Sequence, residues 1–176
     1  MSDTQFIGPN KANRLIIALA MTVYALDQLA KLVVLHTLPV VGDEKSVVEG
    51  FFKFVHWGNT GAAWSLFTGN NALLAIIGMA ALVLLILTRR HFHADTLAGQ
   101  IAFGLIFGGI AGNLTDRLLP GRHAVVDFIY FYIQPRSGGE IVFPSFNIAD
   151  RAICTGVALV FLISWKNEQA PKPAQN

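Results

Sequence analysis

The chain has 176 residues, of which 53% are apolar and 14% are charged, and its formal net charge is +2. A soluble domain carries about a quarter charged residues, so this composition excludes an ordinary soluble enzyme. Disorder requires low hydrophobicity with high charge, and nucleic-acid binding requires a basic patch, so both are disfavoured. The single cysteine, Cys154, excludes an intrachain disulfide and a cysteine-based zinc site. The remaining class is an integral membrane protein.

Four apolar stretches are predicted to cross the membrane as helices, since a span needs about 20 residues at a rise of about 1.5 Å each. The first stretch could imitate a secretory signal peptide, but three more apolar segments follow it and no good cleavage site does. The sequence therefore predicts an all-α membrane protein with a single domain over residues 1–168 and a disordered tail at 169–176. The predicted helices cover about 14–35, 70–88, 97–118 and 148–166.

Basic residues beside the predicted spans indicate the orientation of the chain. The two longer connections also carry basic residues, but acidic residues balance them. We therefore expect both termini in the cytoplasm and both long connections outside. The flanking basic residues are Lys11, Arg14, Arg89, Arg90, Lys166 and Lys172.

The connection over residues 39–68 is predicted to form β-strands. Ser46–Val48 and Phe51–Trp57 consist mostly of β-branched or aromatic residues and are bounded by glycines. A sheet beside the bilayer could hold an extended peptide by main-chain hydrogen bonds, and the alternative is an amphipathic flap on the lipid headgroups. The later segment Gln134–Pro144 is predicted to be a loop because of its proline and glycine content.

Ionisable residues in the spans are the main functional signal, because such residues are costly in a membrane and usually face a partner or a cavity. The helix rise places Asp27, Asp116 and Asp150 about 20, 28 and 24 Å from the cytoplasmic end. Asp127 belongs to the connection that joins spans three and four at that same face. The sequence therefore predicts that these carboxylates converge at one level, in the outer third of the bilayer.

Most of these residues also have a purely structural interpretation. Asp27 and Lys31 are spaced i, i+4 and can form an ion pair on one helix face. Asp150 suits the first turn of a helix, for which Asn147 is a plausible N-cap. Polar residues at the end of span three can share a helix face around a buried network or reach the interface, namely Asn113, Asp116 and Arg117.

Asp127 and Asp150 together indicate aspartic-protease chemistry. Asp127 has only apolar neighbours in the sequence, which gives its carboxylate no local structural role. Two carboxylates that share a site cannot both ionise, so the pair holds one proton. The ionised member then activates a water, and the protonated member polarises the scissile carbonyl. We expect Cys154 to be buried in an apolar helix without an adjacent base, and the five histidines are scattered, so neither a metal nor a cofactor is predicted.

Five short motifs occur in order along the chain. They are Asp27-Gln28-x-x-Lys31, Asn59-Thr60-Gly61-Ala62-Ala63-x-Ser65, Gly112-Asn113-Leu114-x-Asp116-Arg117, Val126-Asp127-Phe128 and Phe146-Asn147-Ile148-Ala149-Asp150. In this order and spacing the chain resembles the lipoprotein signal peptidase family, also called signal peptidase II. The resemblance covers nearly the whole chain, from span one to span four.

The resemblance implies an intramembrane aspartic endopeptidase of the bacterial inner membrane. Such an enzyme removes signal peptides from prolipoproteins, cutting before the diacylglyceryl-modified cysteine, and is the target of the antibiotic globomycin. The implied fold has four membrane helices with a small extracytoplasmic β-cradle between helices 1 and 2. The implied catalytic residues are Asp127 and Asp150, near the outer face. The implied substrate-binding or supporting residues are Asn59, Gly61, Asn113, Arg117, Asn147, Asp27, Lys31 and Asp116.

Lipid-modified precursors and membrane lipids are the expected partners, without nucleic acid, and the enzyme is expected to be a monomer. The stretch between Asp127 and Phe146 is longer than is usual in the family, which leaves the geometry over the site open. The alternative function is a small membrane transporter or proton-relay subunit. A relay needs ionisable residues throughout the bilayer depth, whereas the inner halves of the four predicted spans contain none. A structural assembly factor would leave Asp127 unexplained.

Overall fold

Four long helices dominate the computed structural model, which describes residues 9–61, 67–122, 124–135 and 139–169. All four are long and apolar enough to cross a membrane, which confirms the predicted class. The third helix has the predicted ends, whereas the first begins earlier and the fourth ends slightly later than predicted. The helices are α1 (Pro9–Thr37), α2 (Asn71–Thr88), α3 (Leu97–Leu118) and α4 (Ile148–Glu168).

Helix α3 lies at the centre of the bundle and packs extensively against both α1 and α4. Glycines on two of its faces allow this close approach, as is typical of membrane helices. A Cβ atom at Gly108 would lie 2.6 Å from the Ala20 carbonyl oxygen of α1. A Cβ atom at Gly109 would lie 2.5 Å from the Ala149 carbonyl oxygen of α4. The backbones of α1 and α4 are therefore held close to α3.

A four-stranded antiparallel sheet with the order β1-β2-β3-β4 accompanies the helices. The predicted strands after α1 are confirmed, although β2 continues through Gly58, where the sequence predicted its end. Gly50, with φ of +75°, lies in the turn between β1 and β2. The strands are β1 (Glu44–Val48), β2 (Phe52–Asn59), β3 (Val125–Ile133) and β4 (Ile141–Val142).

Half of this sheet comes from the connection between α3 and α4. Within the segment predicted to be a loop, Gln134–Pro144, the prediction is wrong for Ile141 and Val142, which pair with Ile133 and Tyr132 of β3. The reason is that main-chain pairing with a long, apolar neighbouring strand overrides weak local preference. Several earlier predictions lie outside the described residues: those on Ala62, Ala63 and Ser65, on 136–138 and on the tail from residue 170.

The sheet is docked on the C-terminal end of α1. Val126 and Phe128 of β3 pack in one apolar cluster with Val34 and Leu38. The Nδ1 atom of the buried His56 lies 2.8 Å from the carbonyl oxygen of Leu38. Strand β3 thus begins beside the ends of α1 and α3 and the start of α4, which is where the polar motif residues meet.

Candidate active site

Asp127 lies near the start of β3, and its side chain is almost completely buried, with 1% exposure. Each carboxylate oxygen accepts a hydrogen bond from a different amide. The Asn59 Nδ2 group donates to Oδ2 at 2.9 Å, and the Asn147 Nδ2 group donates to Oδ1 at 2.8 Å. Strand β2 supplies Asn59 because its last residues pair with the start of β3. Asp127 is therefore fixed from both sides.

Asp150 lies in the first turn of α4, as the sequence predicts. Its Oδ2 atom accepts from the Asn147 backbone N–H at 3.1 Å, and its own N–H donates to Asn147 Oδ1 at 2.9 Å. This reciprocal pair is a capping box, which confirms Asn147 as the N-cap. The Oδ1 atom of Asp150 accepts from Asn113 Nδ2 at 2.7 Å. Both oxygens are therefore oriented.

Asn147 brings the two carboxylates together. Its side-chain amide donates to Asp127, while its backbone N–H donates to Asp150. Burial and the nearby charge of Asp150 raise the pKa of Asp127 to about 7, against the opposing hydrogen bonds of Asn59 and Asn147 and the charge of Lys31. The pair can therefore hold a shared proton near neutral pH, which is the state that carboxylate-pair hydrolysis requires.

A fully buried ion cluster lies directly behind this pair. The Lys31 ammonium is 2.7 Å from an oxygen of Asp27 and 2.7 Å from an oxygen of Asp116. It also donates to Asn113 Oδ1 at 3.1 Å. The predicted ion pair on α1 is thus confirmed and is extended by two residues of α3. Buried charges are stable only when they are paired and hydrogen-bonded, and this cluster satisfies that requirement.

The ion cluster also binds the backbone next to each site aspartate. Asp27 Oδ1 accepts from the Ala149 N–H at 3.0 Å, and Asp116 Oδ2 accepts from the Val126 N–H at 3.3 Å. Each of these N–H groups belongs to the residue immediately before a site aspartate. Gly112 makes room for the cluster, because a Cβ atom there would lie 2.5 Å from Asp27 Oδ2.

Arg117 joins the start of α2 to the segment after β2. Its guanidinium donates to Asn71 Oδ1 and to the Gly61 carbonyl oxygen, each at 2.8 Å. Asn71 Nδ2 donates back to the Arg117 carbonyl oxygen at 3.0 Å. Gly61 N–H donates in turn to Asn59 Oδ1 at 2.8 Å, which links this group to the carboxamide on Asp127.

One expectation about an individual residue is refined and another needs correction. The guanidinium of Arg117 is directed to α2 and to Gly61, so among the described residues its hydrogen bonds reach the network of Asn113 only indirectly. Cys154 is exposed on α4 and not buried within the protein. Helix α4 is buried through small residues such as Ala149, Ala152 and Gly156, which leaves position 154 on the outer face.

Three further polar residues belong to this arrangement and received no role from the sequence. Gln28 and Arg122 contact the ion cluster, and Asn71 contacts Arg117. Gln28 has a detectable signal, because a polar amide beside Asp27 in an apolar span requires a partner. Asn71 and Arg122 flank spans, where polar residues are ordinary, so nothing in the sequence distinguishes them. Among the described residues, no group of three or more His, Cys, Asp or Glu side chains could hold a metal ion.

Comparison with known proteins gives a consistent assignment. The family model described as "Signal peptidase (SPase) II" matches residues 19–166. A lipoprotein signal peptidase of Azoarcus sp. (strain BH72) is 39% identical over 159 residues, covering 89% of this chain and 84% of the relative. A lipoprotein signal peptidase of Bacillus pumilus (strain SAFR-032) is 34% identical over 145 residues, covering 82% and 88%.

Solved structures agree in fold with this chain. One, described as "Bacterial membrane enzyme structure by the in meso method at 2.3 A resolution", is 31% identical with a TM-score of 0.75 and covers 92% of this chain and 93% of its own. A second, described in the same words at 1.9 A resolution, is 30% identical with a TM-score of 0.71, covering 93% and 98%. The sequence match over most of the chain and the shared fold show that this protein belongs to the signal peptidase II family.

Proposed function

We propose that this protein removes signal peptides from bacterial prolipoproteins by aspartic-protease chemistry, with Asp127 and Asp150 as the catalytic pair. Membership of the signal peptidase II family supports the peptidase activity and the class of substrate. The observation that carries the chemistry is Asn147, which donates hydrogen bonds to both carboxylates and so holds them at one site.

We assign the shared proton to Asp127, because burial and the charge of Asp150 raise its pKa to about 7. Its proton polarises the scissile carbonyl oxygen. Asp150, the ionised member, takes a proton from a water molecule as the water oxygen attacks the carbonyl carbon. The C–N bond of the resulting tetrahedral intermediate then breaks, and the leaving amine accepts a proton from the pair.

Asn59, Asn113 and Asn147 act as orienting residues in this mechanism, since their side-chain amides donate to three of the four carboxylate oxygens and the Asn147 backbone N–H donates to the fourth. Asp27, Lys31 and Asp116 support the backbone behind the pair. Arg117 holds Gly61, whose N–H orients the Asn59 side chain. Hydrolysis by two carboxylates needs no metal or organic cofactor.

The substrate is a diacylglyceryl-modified precursor cleaved just before the modified cysteine. Strands β1 and β4 are sheet edges whose main-chain groups are able to pair with an extended peptide. Exposed apolar side chains on these edges provide contacts for an apolar or acylated segment. They include Val47, Val48, Ile141 and Val142.

Both termini lie in the cytoplasm and the site lies near the outer face of the inner membrane. Basic residues at the opposite ends of the spans support this orientation, including Arg14, Arg89 and Lys166. A monomer is sufficient for activity, since one chain supplies all the residues of the proposed site. The transporter alternative is not favoured, because the fully buried charges of the described spans, Asp27, Lys31 and Asp116, form one cluster and not a path.

The test is cleavage of a diacylglyceryl-modified precursor by purified protein in detergent, with the unmodified precursor for comparison. We expect cleavage of the modified precursor only. Asp127→Asn and Asp150→Asn should each abolish cleavage, because one carboxylate cannot hold the proton and activate water at the same time. Substantial turnover by either variant would contradict the assignment of the pair.

Three controls accompany this experiment. Asp95→Asn removes an exposed carboxylate from the connection between α2 and α3 and should retain activity. Cys154→Ala should also retain activity, since the thiol is exposed on the outer face of α4 and has no role in the proposed mechanism. Chelation by EDTA should have no effect, and loss of activity there would indicate a metal-dependent mechanism.

A further inference from the structure

Arg122 makes two polar contacts between the connection that follows α3 and the buried ion cluster. Its Nη1 group donates to Asp116 Oδ1 and, at 3.0 Å, to Gln28 Oε1. The side chain is 15% exposed, whereas the Asp116 side chain is fully buried. Arg122 therefore reaches from near the surface into the cluster behind the site.

The ion cluster requires this positive charge. Asp27 and Asp116 contribute two carboxylates and Lys31 contributes one ammonium, so without Arg122 one buried negative charge would be uncompensated. An uncompensated buried charge is strongly unfavourable. Arg117 makes no direct ion pair with the cluster among the described residues: its guanidinium hydrogen-bonds to Asn71 and Gly61, and its charge acts on Asp116 from farther away.

The contact with Arg122 also determines how Asp116 is used. Arg122 and Gln28 occupy Oδ1 of Asp116. The other oxygen, Oδ2, is then directed to Lys31 Nζ at 2.7 Å and to the Val126 N–H at 3.3 Å. Val126 is the residue immediately before Asp127, so a single side chain, that of Asp116, links Arg122 to the backbone at the residue before Asp127.

We propose that Arg122 is a positioning residue for the hydrolytic reaction. It neutralises the Asp27–Lys31–Asp116 cluster and, through Asp116, fixes the start of β3 and the charge environment of Asp127. This inference rests on the proposed catalytic role of Asp127. The effect of Arg122 on geometry should appear in kcat, and its effect on charge should appear in the pH dependence of the rate.

The test compares the pH–rate profiles of the wild type, Arg122→Gln and Arg122→Lys with the diacylglyceryl-modified precursor in detergent. Arg122→Gln should lower kcat about tenfold, because the site is less well fixed, and should change KM less than about twofold. It should also shift the alkaline limb of the pH–rate profile to higher pH by about 0.5 to 1 unit. The reason is that an uncompensated negative charge in the cluster opposes ionisation of Asp127. Arg122→Lys should restore the wild-type limb.

The other charged groups around Asp127 remain in place in these variants. They are Lys31 on α1, Arg117 on α3 and Asp150 on α4. Arg90→Gln is the matched control, because it removes the same charge from an exposed position between α2 and α3. Its profile should coincide with that of the wild type.

A second pair of variants tests the charge argument in the opposite direction. Asp116→Asn leaves the cluster with one excess positive charge and should move the alkaline limb downward. Arg122→Gln combined with Asp116→Asn restores neutrality and should return the limb to its wild-type position, even at a lower rate. This comparison also serves if Arg122→Gln alone fails to fold.

An alkaline limb that stays fixed in both single variants while the rates fall would overturn the proposal and leave Arg122 with a structural role only. Failure of the proposed function has a different signature. In that case Asp127→Asn would retain activity, whatever the Arg122 variants do.

Discussion

Asn147 combines two tasks that residues usually perform separately. It is the N-cap of α4, and the same side chain donates through its amide to Asp127. The capping oxygen and the donating nitrogen belong to one planar group, so the cap fixes the direction of the donor. The start of a membrane helix thereby sets the relative position of the two carboxylates.

Asn147→Ala should therefore lower kcat about 100-fold, because misplacement of catalytic groups is costly. Loss of the cap should also reduce stability by about 1 kcal/mol. Asn147→Asp can still accept the capping hydrogen bond but loses the amide donor and adds a third carboxylate, so its activity should fall further. Steady-state cleavage and thermal unfolding in detergent measure both effects.

The control for this prediction is Asn70→Ala. Asn70 is the N-cap of α2, but its side chain makes no capping hydrogen bond. Activity and stability should remain close to wild type. An Asn147→Asp variant more active than Asn147→Ala would show that the amide donor is dispensable.

Asp127 should make the stability of the protein depend on pH. Its pKa is about 7 in the folded protein and about 3.8 ordinarily, so the folded state binds more protons between these values. Its contribution is fully present below about pH 4 and is lost as pH rises through about 7. At about 1.4 kcal/mol per pKa unit, a few kcal/mol are involved. The melting temperature in detergent should therefore fall between pH 5 and pH 8.

Asp127→Asn cannot ionise and should reduce that dependence, whereas Asp95→Asn should retain it. An Asp127→Asn variant with the full wild-type slope would assign the pH dependence to other groups.

The sequence predicts the ionisable members of the site but not the residues that complete them. Asp127 and Asp150 are detectable because a carboxylate in an apolar environment requires an explanation. Arg122 is not, since a basic residue near a span end is unremarkable locally, even though one partner, Asp116, is six residues away and the other, Gln28, is 94 residues away. Asn71 is not detectable from the sequence either, because its partner, Arg117, is distant by 46 residues.

At the scale of elements, α3 depends on its glycines. Gly104 and Gly108 face α1, Gly109 faces α4, and Gly112 accommodates a side chain of the ion cluster. Water is absent from the bilayer core, so helices there associate through close packing and polar contacts and not through the hydrophobic effect. The glycines of α3 therefore bring α1 and α4 close enough for the polar groups to meet.

Gly108→Ala should destabilise the bundle by about 1–3 kcal/mol, because its Cβ atom would lie 2.6 Å from the Ala20 carbonyl oxygen and 2.7 Å from Val23 Cβ. Gly78→Ala on α2 is the matched control, since its nearest contact would be an ordinary 3.8 Å. Thermal unfolding in detergent compares them. Equal melting temperatures of the two variants would mean that α1 and α3 can move apart without a loss of stability, which would contradict the prediction.

The sheet illustrates why strands were harder to predict than helices. The apolar length of each span is a local property, and α3 was predicted with its correct ends. Strand β3 was not predicted, although Val125–Ile133 is rich in β-branched and aromatic residues, and its partner β2 lies on the other side of two helices. Strand β4 has two residues in a segment rich in proline and glycine, so only the neighbouring strand reveals it.

The whole molecule has an apolar surface along its helices and a polar group of residues at one end. Large side chains such as Ile17, Ile76 and Phe161 are each 60% exposed, as expected for a surface in contact with lipid. The polar site lies where α1 and α3 end and α4 begins. The proposed mechanism therefore requires that this end face the leaflet that holds the acyl chains of the proposed substrate.

Cysteine labelling tests that orientation in a Cys154→Ala background. Single cysteines at Lys45 on β1 and Glu140 before β4 should react with a membrane-impermeant thiol reagent in outer-membrane-permeabilised cells. A cysteine at His91, between α2 and α3, should not react. Labelling of the cysteine at position 91 alone would show that the protein has the opposite orientation, with the site on the side of the membrane away from its proposed substrate.

If Asp127 and Asp150 form the catalytic pair, as proposed, the position of Asn147 and Asp150 at the start of α4 determines when the enzyme becomes active during its synthesis. A ribosome makes the chain from its N-terminus, so Asp127 emerges before either of them. Until α4 is in place, the Asp127 carboxylate lacks its amide donor from Asn147 and its partner acid. Under the proposed mechanism, a nascent chain in the membrane therefore cannot cleave neighbouring proteins until α4 has been synthesised.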